Sequence, residues 1–133
     1  MTRSRLHWKR GQETLQAVLA VAFILLPVLF GIVELGGLIH IWIGEQAAAA
    51  IGARVAGERG EDDPVVRDRI RMELVAAGLD PRHVQVTVTP GYVRWGQPIT
   101  VQVISQRHVA IPFLFSRDLT LASRYVGRGE VNH

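Results

Sequence analysis

An uninterrupted apolar segment dominates the first third of the chain. No charged residue lies between Thr14 and Val33, which is roughly the 20 residues that a helix needs to cross the hydrocarbon core of a bilayer. The cations that precede this segment are Arg3, Arg5, Lys9 and Arg10. Because cations before a span mark the cytoplasmic side, the pattern predicts a single-pass membrane protein with a cytoplasmic N-terminus and a C-terminal domain outside.

The helix that contains this segment is predicted to continue beyond the membrane. Residues 44–56 are rich in alanine, which favours helix, and each glycine among them costs only about 1 kcal/mol. The sequence therefore predicts one helix from about Glu13 to Gly57, roughly 65 Å long at 1.5 Å per residue. Pro27 lies inside it and is expected to kink the helix, which membrane segments tolerate.

A second, shorter helix is predicted after a polar break at residues 60–63. Asp63 is a favourable N-cap residue, and Pro64 suits the first helical position. Apolar residues then recur at helical spacing, with the arginines mostly on the other side. Gly78 is expected to end this amphipathic helix as a C-cap.

From His83 the hydrophobic period changes to two, which is typical of half-buried strands. The predicted strands cover residues 84–89, 99–105 and 119–124. In the second strand, Ser105 is assigned to the polar face with Thr100 and Gln102. Pro112 interrupts the apolar residues 109–115, which are therefore expected to form a connection or an edge strand. The tail from Gly127 onward is expected to be loose.

These elements predict an α+β fold. A long N-terminal transmembrane helix is followed by a short amphipathic helix and a small antiparallel three-stranded sheet. The predicted organisation is a basic cytoplasmic leader at residues 1–11, a transmembrane and extended helix at 12–58, and a small extracytoplasmic α+β domain at 59–133. Because the last unit is short for a core of its own, we expect it to lean on the long helix or on partner subunits.

Composition excludes several functional classes. The net charge is +3, but the cations are scattered among acids without interleaved aromatics, so no nucleic-acid partner is predicted. The chain has no cysteine, and its five histidines are predicted to lie in the leader, near the membrane edge, at two strand ends and at the terminus, so they do not form the converging set that a metal site needs. No phosphate-binding loop or nucleophile elbow occurs. We therefore expect no enzyme activity, no cofactor and no metal site.

The N-terminal segment has three possible interpretations. A cleavable secretory signal has an apolar region of about 7–15 residues, and the apolar segment here is nearly twice as long. A plain signal anchor is the simplest alternative. The third is a prepilin-type leader, because residues 1–11 are short, basic and end in Gly11. Cleavage after Gly11 would make Gln12 the new N-terminus.

Two features along the helix suggest packing roles. Glu34 lies about 30 Å beyond Thr14, near the outer interface, so it is either a headgroup-level carboxylate or a packing and assembly residue. Gly44, Ala48 and Gly52 are spaced by four, and small residues at this spacing let helices approach closely. They are either a contact ridge for a partner pilin-like subunit, which we favour, or simply small residues compatible with a helix.

Several sequence blocks together suggest a family. They are Arg10-Gly11, Gly31-Ile32-Val33-Glu34-Leu35-Gly36, residues 47–54, Gly96-Gln97-Pro98, Ile111-Pro112-Phe113, and residues 119–124 followed by Glu130. With these blocks the chain resembles the TadE-like proteins, which are minor pilin-like components of tight-adherence (Flp-type) pili. The resemblance extends from Arg10 to Glu130.

This resemblance implies a structural role in pilus assembly, with a pilin-like fold. The implied location is the cell (inner) membrane, with possible association with the pilus. The implied partners are the lipid bilayer, other pilin-like subunits, the pilus assembly machinery and a prepilin peptidase acting after Gly11. One position departs from the pattern, because pilins usually place Glu where this chain has Gln16. An uncharged Gln pairs more weakly with the new amino terminus of a neighbour.

A function of a different class remains open. The chain could be a generic single-pass membrane adapter or sensor whose extracytoplasmic domain binds a ligand or partner. Cleavage of the leader distinguishes the two, since only the pilin-like interpretation requires Gln12 as the mature N-terminus.

Overall fold

The computed structural model describes residues 2–131, with side chains from Lys9 onward. The elements are helix α1 (Thr2–Arg59), helix α2 (Pro64–Ala76), a short 3-10 turn (Pro81–His83), and strands β1 (Val84–Thr89), β2 (Pro98–Ile111) and β3 (Phe115–Arg128). Within the described residues the strands form one antiparallel sheet in the order β1-β2-β3. The predicted α+β class and its order of elements are confirmed.

Helix α1 is the largest element and has 58 residues. It begins at Thr2 rather than near Glu13, because the leader contains a single glycine and no proline to interrupt it. It continues through Pro27. Its apolar part leaves large side chains exposed, including Phe23 and Val33 at 68% and 71%. By length and composition α1 is a candidate membrane span.

The C-terminal part of α1, from about residue 44 onward, which we call its upper part, forms one side of the hydrophobic core. Its buried stripe includes Ala48, Ala49, Gly52, Ala53 and Ala56, whose small size lets other elements approach closely. The side chains that cover this stripe are Val66, Ile70 and Leu74 from α2 and Ile99, Val101 and Val103 from β2. Since burying a Val, Leu or Ile contributes about 1.5–3 kcal/mol, this layer accounts for much of the domain's stability.

The ends of α2 follow the sequence prediction. The Asp63 carboxylate accepts a hydrogen bond from the Val66 amide at 3.0 Å, and Pro64 occupies the first helical position. At the other end Gly78 adopts a φ of +78°, a conformation that glycine takes without steric cost. The Leu79 amide then donates to the Leu74 carbonyl at 2.9 Å, which closes the C-terminal cap.

The β2–β3 hairpin is longer than predicted. Each strand has 14 residues, and pairing extends to Ile111 opposite Phe115. Pro112 lies in the connecting turn, so the apolar residues around it complete both strands. Strand β1 pairs with β2 only as far as Ser105. Beyond that point β2 and β3 continue as a two-stranded ribbon.

The C-terminal segment is held in place, so the prediction of a loose tail was wrong for residues 127–130. Strand β3 extends to Arg128. After it, the Gly129 amide donates to the Gln97 carbonyl at 2.9 Å, and the Glu130 amide donates to the Gly57 carbonyl at 2.8 Å. These bonds tie the end of the chain to α1 and to the loop before β2.

Arg67 connects α2 to strand β1 and to the loop that precedes α2. Its replacement tests how much these bonds stabilise the fold. Its guanidinium donates to both Asp62 carboxylate oxygens at 2.8 and 2.6 Å and to the Val86 carbonyl at 2.7 Å. Lysine cannot reproduce this planar fork. We expect Arg67→Lys to lower the free energy of unfolding by about 1–2 kcal/mol, measured by thermal unfolding in detergent micelles.

Arg71→Lys is the matched control. Arg71 has one contact of 3.3 Å with Asp68, and both side chains are exposed, so its replacement is expected to change stability by less than about 0.5 kcal/mol. Equal losses in the two variants would contradict the structural role of Arg67.

Candidate functional site

The residues predicted for leader processing lie in about the third and fourth turns of α1. Gly11, Gln12 and Gln16 are exposed, and nothing lies within 4 Å of the position that a Cβ on Gly11 would take. Gln12 and Gln16 are four residues apart and therefore share a face of the helix. Their surroundings leave all three residues free to meet another molecule.

The small-residue ridge has a different occupant from the one expected. A Cβ on Gly44 would lie 2.9 Å from Ala77, and one on Gly52 would lie 2.6 Å from the Ile70 side chain. Ala48 between them is fully buried. The ridge therefore packs against α2 and the residues that follow it in the same chain. In this fold the partner helix expected at these positions cannot reach them.

Glu34 lies on the side of α1 that faces the hairpin. Residues Gly31, Glu34, Leu38 and Ile41 are half-buried, whereas the residues between them are exposed. This spacing marks one helical stripe, and the position of a Cβ on Gly31 is 3.6 Å from Ile111 at the end of β2. Glu34 is thus placed at the upper end of the apolar segment, on the stripe that the ribbon follows.

A buried polar cluster connects α1 to the sheet. Glu45 is fully buried, and Ser105 and Ser123 are 2% and 1% exposed. The Ser105 hydroxyl donates a hydrogen bond to Oε1 of Glu45. Among the described residues, no hydrogen-bond partner is found for Oε2 of Glu45, Oγ of Ser123, or Nε and Nη2 of Arg107. Buried polar atoms are usually paired, so this cluster is the part of the core that packing alone does not explain.

Alternation along the strands brings these residues together. Val101, Val103 and Ser105 are buried on one face of β2, and Ser123 on β3 pairs with Val103. The assignment of Ser105 to the polar face was wrong, since it is two residues from Val103 and shares its face. Sequence reasoning also missed Glu45. One signal could have indicated its burial: Glu45 lies beside an alanine-rich stretch of helix, which was expected to pack against the short C-terminal domain.

Burial raises the pKa of the Glu45 carboxyl above its usual range. The hydrogen bond from Ser105 and the positive charge of Arg107 act in the opposite direction but do not cancel it. A carboxyl in this state takes up a proton more readily than one in water. Once protonated, it can donate a hydrogen bond as well as accept one.

A second polar group lies on the ribbon. The His108 ring is 2.8 Å from the Asp118 carboxylate through Nδ1 and 2.9 Å from the Ser116 hydroxyl through Nε2. This is the atomic order of a hydrolytic triad, but such triads bury the aspartate. Here the Asp118 and His108 side chains are 81% and 61% exposed. The group is better described as a polar collar on the ribbon, a name used below for Ser116, His108 and Asp118.

Apolar residues at the end of the ribbon contact the apolar part of α1. The Phe113 and Phe23 rings stack with centroids 5.6 Å apart. Together with Leu26, Pro27, Phe30 and Pro112 they line a small cavity of about 140 Å³. The ribbon therefore extends along α1 as far as the segment that is a candidate membrane span.

Comparison of the chain with family models, with curated proteins and with solved structures gives no match.

The raised pKa of Glu45 makes stability depend on pH. The ordinary pKa of such a carboxyl is 4.5, and the folded state holds the proton to a higher pH than the unfolded state. The stabilisation by the protonated form is therefore complete below about 4.5 and is lost as pH rises towards the folded pKa. We expect wild-type protein to lose stability relative to Glu45→Gln over this range, measured by thermal unfolding in detergent from pH 4 to 8. Parallel pH profiles of the two proteins would contradict a buried, proton-binding Glu45.

The occupied ridge predicts different effects for two Gly→Ala substitutions in α1. At Gly52 the added methyl group meets the buried Ile70 side chain at 2.6 Å, and overpacking of this kind costs about 1–3 kcal/mol. At Gly36 nothing lies within 4 Å, so alanine is expected to be neutral or to stabilise the helix by up to about 1 kcal/mol. Thermal unfolding in detergent measures both. A neutral Gly52→Ala would show that α2 does not occupy the ridge.

Proposed function

We propose that the chain is a membrane-anchored, pseudopilin-like structural protein that serves in the assembly of a tight-adherence pilus. The observation that carries this proposal is the division of α1 into two parts. The lower part, about residues 14–33, exposes apolar side chains on nearly all sides. The upper part packs against the other elements of a small α+β domain. A long N-terminal helix used in both ways is pilin-like, and the resemblance to the TadE-like family agrees with it.

The lower part of α1 supports anchoring in a bilayer. Its most hydrophobic stretch has none of its residues buried by the rest of the described chain. Contiguous apolar surface of this extent is rare on soluble monomers. Lipid around the helix would cover these side chains and leave every backbone hydrogen bond inside the helix.

Charge supports the direction of insertion. Lys9 and Arg10 are exposed just before the apolar segment, and the leader adds further cations before them. Cations within a short N-terminal segment favour the cytoplasmic side. The α+β domain would then lie outside the cell (inner) membrane, where it can meet other pilin-like subunits and the assembly machinery.

The mechanism we propose is binding and positioning. Because α1 is continuous from the apolar segment into the core, the outer domain is held on the span without a flexible linker. Strand β1 forms one edge of the sheet; its Val86 carbonyl is bonded to Arg67, and its other backbone groups could pair with an extended segment of another protein. Partner subunits would thus be placed at a defined height above the membrane.

The mature N-terminus tests this function. In cells that contain a prepilin peptidase, mass spectrometry of the purified full-length protein is expected to find Gln12 as the first residue. Gly11→Leu is expected to retain Met1, because the residue before the cleaved bond is altered, whereas Gly36→Leu should still be processed. Intact wild-type protein would contradict the prepilin-like proposal and favour the membrane adapter or sensor.

A further inference from the structure

The ribbon of β2 and β3 ends in a group of exposed apolar side chains. We define the hairpin tip as residues 111–115, which read Ile-Pro-Phe-Leu-Phe. Phe113 is 86% exposed, and Leu114 and Phe115 are 66% and 50% exposed. Exposed apolar clusters of this kind mark places where a protein contacts a partner or a membrane.

The backbone of the tip favours a functional explanation for these side chains. The Leu114 amide donates to the Ile111 carbonyl at 3.1 Å, which closes a four-residue turn. Pro112 occupies its second position, and Phe113 at the third has a φ of +67°. Glycine is the residue that suits a positive φ there. Because a bulky aromatic residue here keeps an unfavourable backbone conformation and remains exposed, we infer that its side chain is functional.

The depth of the tip follows from contacts along α1. Ser105 is bonded to Glu45, and Ile111 lies 3.6 Å from the Cβ position of Gly31. Strand β2 spans about 20 Å from Ser105 to Ile111, and the helix spans about 21 Å between their respective contact positions, Glu45 and Gly31. The ribbon therefore runs alongside the helix axis, and the turn carries Phe113 beyond Ile111 towards Phe23, on which its ring stacks.

This depth places the tip beside the apolar segment itself. Gly31 is already within the stretch that ends at Val33, and the Phe113 ring extends to Phe23. If that stretch crosses the bilayer, the tip lies between the levels of Gly31 and Phe23, about 3 to 15 Å along the helix from Val33, which includes the depth of roughly 5–10 Å that interfacial apolar groups reach. The polar collar follows directly above, together with the exposed Arg117, and these groups would lie among the lipid headgroups.

We propose that the hairpin tip inserts into the outer leaflet of the bilayer, as a second membrane contact beside α1. The proposal rests on the proposed membrane anchoring. Lipid is the occupant that continuity favours, because the exposed tip side chains merge with the exposed apolar surface of α1. Pro112 has no N–H and the Leu114 amide is paired within the turn, so fewer backbone groups of the tip lose hydrogen bonds to water on insertion. The two contacts would fix the tilt and rotation of the outer domain.

The chain has no cysteine, so single cysteines can report this depth in the full-length protein. We would place an environment-sensitive fluorophore at Leu114→Cys, with Leu19→Cys as the span control and Thr87→Cys as the exposed control on β1. The proteins would be reconstituted in phosphatidylcholine vesicles. Quenching would be compared between aqueous iodide and lipids that carry a nitroxide on the acyl chain.

The expected result is lipid quenching and iodide shielding at Leu114 and Leu19, with the opposite at Thr87. Iodide access at Leu114 with shielding at Leu19 would overturn the tip proposal and leave the anchor intact. Iodide access at Leu19 would overturn the anchoring and the tip proposal with it. The fluorophore at Leu114 could instead be shielded from iodide without being quenched by lipid. If that shielding disappears when each vesicle holds one chain, the tip contacts a second copy of the chain, and lipid is overturned as the occupant.

A pair of variants separates the side chain from the turn. Phe113→Asp is expected to abolish lipid quenching at Leu114→Cys, because a carboxylate resists transfer into hydrocarbon. Phe113→Leu is expected to retain it. Circular dichroism and the Thr87→Cys signal would show that both variants are folded. Retained lipid quenching in folded Phe113→Asp would contradict insertion of the tip.

Discussion

The structure depends on one helix that has to suit two environments. Along its lower part α1 presents large apolar side chains to its surroundings, and along its upper part it presents a stripe of alanine and glycine to its own domain. Small side chains let α2 come within contact distance and let β3 approach the helix backbone, where a Cβ on Gly57 would lie 2.5 Å from the Arg128 carbonyl. The domain is therefore assembled directly on the extension of the proposed anchor.

The interface between α1 and the sheet changes in character along its length. Near Ala48 it is tightly packed and apolar, at Glu45 it contains buried polar atoms, and below Leu38 the ribbon follows the helix towards the apolar segment. Glu45 lies at the change from domain core to ribbon. Its raised pKa and its bond to Ser105 make this the point at which proton uptake would alter how the ribbon is held.

Local patterns in the sequence were sufficient for most of the elements. The long apolar run and alanine-rich extension predicted α1, Asp63 and Gly78 predicted the ends of α2, and alternation predicted the strands. The length of the hairpin was not predictable, since Pro112 suggests an interruption but does not show that Phe113 takes a positive φ and turns the chain. Small-residue spacing at Gly44 and Gly52 indicated close packing correctly but could not distinguish α2 from a second chain. Glu45 was missed because its burial arises from contacts with Ser105, sixty residues away.

A cysteine scan along α1 in membrane vesicles tests the central claim that one helix serves both as membrane span and as one side of the domain core. Single cysteines at residues 14–56 would be treated with a membrane-impermeant maleimide in the otherwise cysteine-free chain. The account predicts protection of every position from 14 to 33, on all sides of the helix. Above residue 44 it predicts protection only on the buried stripe, with Ala48, Gly52 and Ala56 unreactive and Ala47 and Arg54 labelled. Labelling that follows the helical period within residues 17–33 would contradict it, because one side of that segment would then face water.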